Sequence, residues 1–340
     1  MLRAVAWLLA LVLPAASAGA MRGGDEGTIV SQLQALAQLH TAGSLTDAEF
    51  SQAKRRVLAA PPAPPPLVAI NASQWAAQGK RMMVITAHPD DAEFFAGGLV
   101  AAFTSAGGNA SYLVMTNGDG GGECYDSPTL KTVGSCESEE LALIRRREML
   151  AAGRVLNVSN VWRGDLEDGM TVSYHETIMR EKITAYVRHF QPHIVVTHWP
   201  EPNWRAPPTC NGDCIPSSTT SNWDDSGYHP DHKRVGLMAF NALYQGGSSV
   251  DNAKLFKELQ QAGGLEQWKV EQLYMFALTR DQPITHWLPL DERLMALKSE
   301  ALAAHHSQYP SAPTMDTRWR AERVGKEVGQ PLAEGYLGWW

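Results

Sequence analysis

The sequence predicts an α/β protein in which a mostly parallel β-sheet carries helices on both faces. From about residue 80, short apolar runs alternate with longer runs of helical periodicity. Largely apolar strands of this kind are typical of parallel sheets that are buried on both faces. A small helical hairpin is predicted to precede this α/β region.

The first 18 residues are expected to be a secretory signal peptide. Arg3 precedes an apolar run, and Ala16-Ser17-Ala18 then supplies the small residues of a cleavage site. Four cysteines fit an oxidising compartment, as do three glycosylation sequons that begin at Asn71, Asn109 and Asn157. The sequence thus predicts a place in the secretory pathway, in the endoplasmic reticulum lumen or secreted. Membrane association is expected only if the N-terminal segment is retained.

Residues 28–60 are predicted to form the helical hairpin. Leucines recur at helical spacing up to Gly43, and Thr46 with Glu49 makes a capping box for a second helix. The pattern resembles the SHOCT motif. So small a unit cannot bury much apolar surface, so a contact with a protein partner or a second copy is expected. A proline-rich linker at 61–79 then leads to the α/β domain, predicted at 80–340.

The elements of the α/β region follow in order along the chain. The predicted strands are 82–87, 111–116, 160–163 and 193–198, and the predicted helices are 92–106, 137–153, 173–190, 231–245 and 291–308. Gly153 is expected to end the second of these helices. Residues 199–228 lack periodicity, and so long a loop is expected to be a lid or rim.

The cysteines suggest two short disulfide loops. Cys124 with Cys136, and Cys210 with Cys214, lie close together in the sequence. Free thiols and cross-pairing remain open alternatives. Neither pair has Cys-x-x-Cys spacing, so a zinc site built from cysteines is not expected.

Two clusters of histidine and aspartate predict a metal site. His88, Asp90 and Asp91 follow the strand 82–87, and His229 and His232 precede a helix. Ligands in open α/β sheets bind at the carboxyl ends of strands. His88, Asp91 and His232 would supply three metal ligands and leave a position for water. Asp90 would then act as general base, and His229 would stabilise an oxyanion or protonate a leaving amine.

Each cluster also has an ordinary structural interpretation. Asp90 or Asp91 could cap the helix that follows, and His-Pro-Asp-His by itself fits a polar turn. The metal hypothesis is preferred because both clusters lie where a strand or loop gives way to a helix.

The two motifs together, Ala-His-Pro-Asp-Asp-x-Glu and His-Pro-Asp-His, resemble the PIG-L/LmbE family of zinc-dependent N-deacetylases. The resemblance covers about residues 80–310. It implies a Rossmann-like fold, a Zn²⁺ cofactor and removal of acetyl from N-acetylglucosaminyl conjugates. It assigns His88, Asp91 and His232 as zinc ligands, Asp90 as general base, and His229 as the oxyanion and acid histidine. Another divalent ion would suit the same ligands.

Other polar and aromatic residues are candidates for substrate binding. They are Asp119, Arg145, His198 and His305, with Trp199, Trp204 and Trp223 as a sugar-stacking rim. A turn role for Asp119, a buried role for His305 and ordinary packing of the tryptophans are equal alternatives. Asp165 or Asp168 could touch the pocket, and turn chemistry would explain both equally well. The glycines from Gly118 lack Gly-x-Gly-x-x-Gly spacing, so no nucleotide cofactor is expected.

The expected substrate is N-acetylglucosaminyl-phosphatidylinositol, as in GPI-anchor biosynthesis. A deacetylase of a soluble amino sugar or other amide is the alternative. Non-catalytic metal binding and a two-metal phosphoesterase are further hypotheses. A net charge of −7 without a long basic run argues against nucleic acid as a partner.

Overall fold

The computed structural model describes residues 26–58, 67–126, 131–134, 137–200, 229–244, 265–276, 284–309 and 317–338. The chain divides into two compact units between Pro65 and Pro66. The predicted signal peptide and residues 201–228 of the predicted lid lie outside the described residues. Within the described ranges, no helix is both long and apolar enough to cross a bilayer.

The first unit is the predicted hairpin of two helices. Helix α1 spans Glu26–Thr41 and α2 spans Asp47–Leu58. The capping box is formed, because Thr46 Oγ1 donates to Glu49 Oε2 at 2.8 Å and the Glu49 amide donates back to Thr46 Oγ1 at 3.3 Å. The buried core of the hairpin comprises Leu36, Leu45, Ala53 and Val57. Its resemblance to SHOCT stays a prediction.

The second unit is an α/β domain. Its strands are β1 (Val68–Ala69), β2 (Arg81–Thr86), β3 (Asn109–Thr116), β4 (Cys124–Asp126), β5 (Lys131–Gly134), β6 (Asn160–Leu166), β7 (Ile194–Thr197), β8 (Gln272–Phe276), β9 (His286–Pro289) and β10 (Ala333–Gly338). Its helices are α3 (Ala72–Ala77), α4 (Asp91–Ser105), α5 (Ser138–Val155), α6 (Glu176–Phe190), α7 (Pro230–Tyr244), α8 (Glu292–Ala303) and α9 (Thr317–Val328).

Eight of the described strands form one sheet in the order β1-β9-β10-β8-β7-β2-β3-β6. The strand pairs are parallel except for those of β10, which runs antiparallel to β8 and β9. The predicted mostly parallel sheet is confirmed. β2 lies between β3 and β7: the chain adds β3 and β6 on one side of β2 and later adds β7 on its other side. At such a reversal of strand order, a crevice opens at the carboxyl end of the strand.

Successive residues of β2 face two different cores. Met82 and Val84 pack into the cluster that includes Leu99 of α4. Met83 and Ile85 pack into the opposite cluster, which includes Val235 of α7. Helices therefore cover both faces, as predicted, and this burial explains why the four central residues of the strand, 82–85, are all apolar.

Several predicted boundaries are wrong. The linker of 61–79 is shorter, because β1 and α3 already belong to the second unit. Helix α5 continues past Gly153 to Val155, since the glycine packs closely on Val161 instead of ending the helix. Helix α8 ends at Ala303, five residues before the predicted end at 308. The sheet also contains β1, β8, β9 and β10, which the sequence pattern did not reveal.

Candidate metal centre

The candidate site lies at the carboxyl ends of β2 and β7. His88 follows β2, His198 follows β7, and α7 brings His232 from far along the chain. Gly236 lets α7 approach closely, because a Cβ there would lie 2.4 Å from the carbonyl oxygen of His198. The close packing of α7 on β7 therefore positions His232 over the strand ends.

His88, Asp91 and His232 converge as the sequence predicts. His88 Nδ1 lies 3.0 Å from His232 Nε2 and 3.5 Å from Asp91 Oδ2. His232 Nε2 lies 3.1 Å from Asp91 Oδ1. All three residues are buried. Two imidazole nitrogens and a carboxylate oxygen this close together are a donor set that fits a divalent ion such as Zn²⁺.

Asp91 points towards this set rather than capping α4. One of its oxygens accepts the His88 amide at 2.7 Å. Burial acts to raise the pKa of Asp91, but His232 and His198 hold that pKa well below its usual range. Asp91 is therefore a carboxylate, which is the form that binds a metal.

Asp90 stands beside the three residues at the N-terminus of α4. Its side chain makes no capping hydrogen bond. Instead, Arg145 Nη2 donates to Oδ1 at 3.3 Å and the Tyr309 hydroxyl donates to Oδ2 at 3.1 Å. Burial raises the pKa of Asp90, although Arg145 opposes this shift. A carboxylate held in this way is suitably placed to serve as a general base.

His229 lies on the other side of the site, with its ring 4.7 Å from the ring of His88. Its Nδ1 accepts the Asp231 amide at 3.3 Å, so in the neutral ring the proton is on Nε2. Desolvation, with His88 and His232 nearby, lowers the pKa of His229 to about 4. The neutral ring thus offers an N–H donor at pH 7.

The second nitrogen of His88 faces two carboxylates. Nε2 lies 3.0 Å from Asp168 Oδ1 and 3.2 Å from Asp231 Oδ2. Desolvation acts to lower the pKa of His88, but the hydrogen bonds to these two aspartates outweigh it and raise that pKa. A metal-binding histidine commonly donates its other N–H to a carboxylate, which fixes the ring and its tautomer.

Asp231 is itself held rigidly. It is fully buried and accepts the Gly169 amide at 2.7 Å, the Thr171 amide at 3.2 Å and the Thr171 hydroxyl at 2.5 Å. The sequence pattern predicts no role for Asp231 and leaves Asp165 and Asp168 open between a pocket and a turn. In the structure Asp165 is exposed, whereas Asp168 contacts His88. The central Asp of His-Pro-Asp-His could have been recognised from the common pairing of metal-binding histidines with carboxylates.

Arg145 is buried and bonded to protein, so it does not present the free cation expected for substrate. Its guanidinium donates to the carbonyls of Pro89, Gly118 and Gly121 as well as to Asp90. Gly118 has a φ of 68°, and a Cβ there would lie 2.7 Å from Arg145 Nε. The glycine loop is therefore shaped around this arginine.

The other predicted substrate residues occupy different places. His198 is fully buried. Its ring stacks on the ring of His232 with 4.1 Å between the centroids, and its Nε2 lies 3.1 Å from Asp91 Oδ2, so it helps to position two of the proposed ligands. His305 is also fully buried, 3.3 Å from Glu93. Neither residue is positioned to touch a substrate, because no part of its side chain reaches the surface. Asp119 is half-buried and accepts the Asp168 amide at 2.9 Å.

The tryptophan and cysteine predictions are only partly within the described residues. Trp199 is buried in a core cluster, which favours packing over sugar stacking. Cys124 is disulfide-bonded. Trp204, Trp223 and the remaining cysteines lie outside the described residues, so both proposed pairings stay predictions.

Fold and site together define an α/β protein with a mostly parallel sheet and a His/Asp cluster at its carboxyl edge that could hold a metal ion. The model of the PIG-L family, described as GlcNAc-PI de-N-acetylase, matches residues 83–208. This match supports the resemblance that the two His/Asp motifs predict.

Two curated relatives are similar over most of the α/β unit. Diacetylchitobiose deacetylase of Thermococcus kodakarensis is 24% identical, and the match covers 75% of this chain and 82% of that protein. 1D-myo-inositol 2-acetamido-2-deoxy-alpha-D-glucopyranoside deacetylase of Rhodococcus jostii is also 24% identical, with coverages of 74% and 88%. The names of both relatives describe deacetylases.

Solved structures show the same fold. N,N'-diacetylchitobiose deacetylase from Pyrococcus horikoshii gives a TM-score of 0.58 at 24% identity and covers 79% of this chain and 87% of its own. GalB, a 4-carboxy-2-hydroxymuconate hydratase from Pseudomonas putida, gives a TM-score of 0.52 at 19% identity, with coverages of 77% and 96%. Because a hydratase shares the fold, the reaction must be argued from the site.

Proposed function

We propose that the protein is a metal-dependent hydrolase that removes the acetyl group from an N-acetylglucosamine conjugate, with a soluble amino sugar as the favoured substrate. The observation that carries this proposal is the convergence of His88, Asp91 and His232, with Asp90 beside them. Support also comes from the two curated relatives, whose names describe deacetylases of an acetylated disaccharide and an acetylated glucosaminyl-inositol.

His88, Asp91 and His232 would hold the ion, and Zn²⁺ is the proposed one. A divalent ion bound there would supply Lewis-acid activation of water and of the acetamide carbonyl. Asp168 and Asp231 would keep His88 in the orientation that ligation needs. The buried surroundings of the three residues strengthen electrostatic interactions within the site.

Asp90 would accept the proton from the attacking water, and the acetamide carbon would become tetrahedral. His229 would donate a hydrogen bond from Nε2 to the carbonyl oxygen as negative charge develops there. Cleavage of the C–N bond would then release acetate, and the proton taken up by Asp90 would pass to the leaving amine. The products are acetate and a free amino sugar conjugate.

N-acetylglucosaminyl-phosphatidylinositol is the second candidate substrate. The description of the matching family model favours it. The names of the two curated relatives favour a soluble substrate instead. We also propose a lumenal or secreted location, supported by the disulfide at Cys124 and by the exposed positions of all three sequon asparagines.

Release of acetate tests both substrates. The metal-reconstituted protein would be assayed on N,N'-diacetylchitobiose, N-acetylglucosaminyl-inositol and, in detergent micelles, N-acetylglucosaminyl-phosphatidylinositol. We expect the soluble substrates to be hydrolysed faster. Failure to release acetate from all three would refute the proposed function, and a clear preference for the lipid would reverse the order of the candidates.

The role of Asp90 can be tested by Asp90→Asn. The amide cannot accept a proton, so turnover should fall by about 10²- to 10⁴-fold. The metal content, measured by elemental analysis, should be unchanged because Asp90 is not one of the proposed ligands. Wild-type turnover in this variant would show that Asp90 is not the general base.

A further inference from the structure

Tyr309 reaches the proposed general base from the segment that follows α8. Its hydroxyl donates to Asp90 Oδ2 at 3.1 Å, while Arg145 donates to Oδ1 at 3.3 Å. We propose that Tyr309 is a positioning residue that fixes the orientation of the Asp90 carboxylate for catalysis. This inference rests on the proposed function, in which Asp90 takes the proton from water.

Asp90 needs such support because its backbone is strained. Its φ is 156° and its ψ is −19°, a conformation that residues with a side chain rarely adopt. Strained residues persist where surrounding contacts over-determine them. The side chain makes no capping hydrogen bond to α4, so its orientation depends on partners from elsewhere in the fold. Tyr309 and Arg145 supply one donor to each oxygen.

The segment that carries Tyr309 is firmly anchored. Ser307 donates to the buried carboxylate of Glu148 through its amide at 2.7 Å and its hydroxyl at 2.6 Å. Gln308 Nε2 donates to the carbonyl of Gly121 at 2.9 Å, and the amide of Glu123 donates to the carbonyl of Ser307 at 2.9 Å. Tyr309 is therefore delivered to Asp90 by a segment fixed to both α5 and the glycine loop.

The two donors determine which way the carboxylate plane faces. A base must be aligned with the proton that it abstracts, and loss of alignment lowers the rate of the chemical step more than it weakens substrate binding. Without the Tyr309 hydroxyl, Arg145 would be the one side-chain donor to Asp90 left among the described residues, and a single hydrogen bond leaves the carboxylate free to rotate. The hydroxyl contacts Asp90 and not His88, Asp91 or His232 in the proposed ligand set, so metal binding should not depend on it.

Tyr309→Phe removes only the hydroxyl. We expect kcat on N,N'-diacetylchitobiose to fall by about tenfold to a hundredfold, which is typical for a hydrogen bond to a charged group. The KM should change less than twofold, and metal content should be unchanged. Tyr186→Phe is the matched control, because the Tyr186 hydroxyl donates at 3.2 Å to the carbonyl of Arg163, outside the site. A kcat within twofold of wild type, or a loss expressed in KM or metal content, would overturn the proposal.

A double-mutant cycle tests whether Tyr309 acts through Asp90. In the Asp90→Asn background, Tyr309→Phe should cause no further loss of kcat, because there is no base left to orient. An additional loss equal to that in the wild-type background would mean that Tyr309 acts independently of Asp90, which would contradict the proposal.

Crystal structures of wild-type protein and the Tyr309→Phe variant, both loaded with Zn²⁺, give a readout that does not need turnover. We expect the Asp90 carboxylate to rotate or become disordered in the variant. An unchanged carboxylate would overturn the positioning role even if the wild-type protein hydrolysed none of the three substrates. That absence of hydrolysis would refute the proposed function alone.

Discussion

At the residue scale, the neighbouring residues Asp90 and Asp91 have different surroundings and therefore different proposed roles. Asp91 is drawn towards His88, His198 and His232, whereas Asp90 is turned towards Arg145 and Tyr309. In the sequence, the two His/Asp clusters and the resemblance to a family already predict different roles for the two aspartates. In the structure, the change of direction follows from the unusual backbone of Asp90 at the start of α4.

Asp231→Asn tests the support of the candidate ligand His88. The NH2 group of the new amide would replace either Oδ2, which faces the Gly169 amide and His88 Nε2, or Oδ1, which faces the Thr171 donors. In either orientation, loss of the negative charge would weaken the contact with His88 Nε2. We expect the metal Kd to rise by about tenfold to a hundredfold. Competition with a chelator of known affinity would measure this change.

Asp165→Asn is the control for that substitution. Asp165 is exposed and pairs with Arg163 at 2.8 Å, so its loss should leave the metal Kd unchanged. Equal metal affinity in wild type and Asp231→Asn would show that the buried carboxylate does not support His88.

At the element scale, the site depends on how closely α7 packs against the end of β7. Gly236 makes this approach possible, since its Cα faces the carbonyl of His198 and leaves no room for a side chain. The same helix carries Asp231 and His232. Its position therefore sets both a candidate ligand and the carboxylate that supports His88.

Gly236→Ala should destabilise the protein although alanine favours helices. The added Cβ would meet backbone atoms that cannot rotate away, and overpacking of this kind costs about 1–3 kcal/mol. The gain in helix propensity is about 1 kcal/mol. We expect urea unfolding to give a lower free energy of unfolding and metal binding to weaken as α7 shifts.

Asn241→Ala provides the comparison on the same helix, because Asn241 is partly exposed. It should leave the free energy of unfolding within about 0.5 kcal/mol of wild type. A Gly236→Ala variant as stable as wild type would contradict the close packing of α7 on β7.

At the scale of the whole molecule, the candidate ligands join distant parts of the second unit. His88 and Asp91 lie at the start of α4, and His232 comes from α7, which packs on the opposite face of the sheet. An ion bound by all three would therefore stabilise the folded unit as a whole, because the unfolded chain cannot hold them together.

Metal removal should accordingly lower the thermal stability. An ion at 100 times its Kd adds about 2.7 kcal/mol. For a domain of this size, that corresponds to a rise in Tm of about 5–10 °C. Calorimetry with and without a chelator would measure the difference. His232→Ala should abolish the difference, and a persistent shift in that variant would place the stabilising ion elsewhere.

Local patterns in the sequence were sufficient for the central parallel strands and the helices beside them. Strands β2, β3 and β7 are apolar because both faces are buried, so their composition reveals them. The carboxyl ends of such strands are where His88 and Asp91 were expected. Strand β1 has only two residues, and proline or glycine interrupts β9 and β10, so no apolar run marks these strands. Strand β8 follows a stretch without clear periodicity.

The sequence by itself determined the α/β class, the capping box at Thr46 and the residues of the candidate metal set, since these follow from local periodicity and from motifs. Only the tertiary structure decided that the side chains of Arg145, His198 and His305 are buried, and that the Tyr309 hydroxyl contacts Asp90. Burial and orientation depend on contacts between segments far apart in the chain. The free energy of those contacts is set by packing across the whole sheet, and no local pattern encodes it.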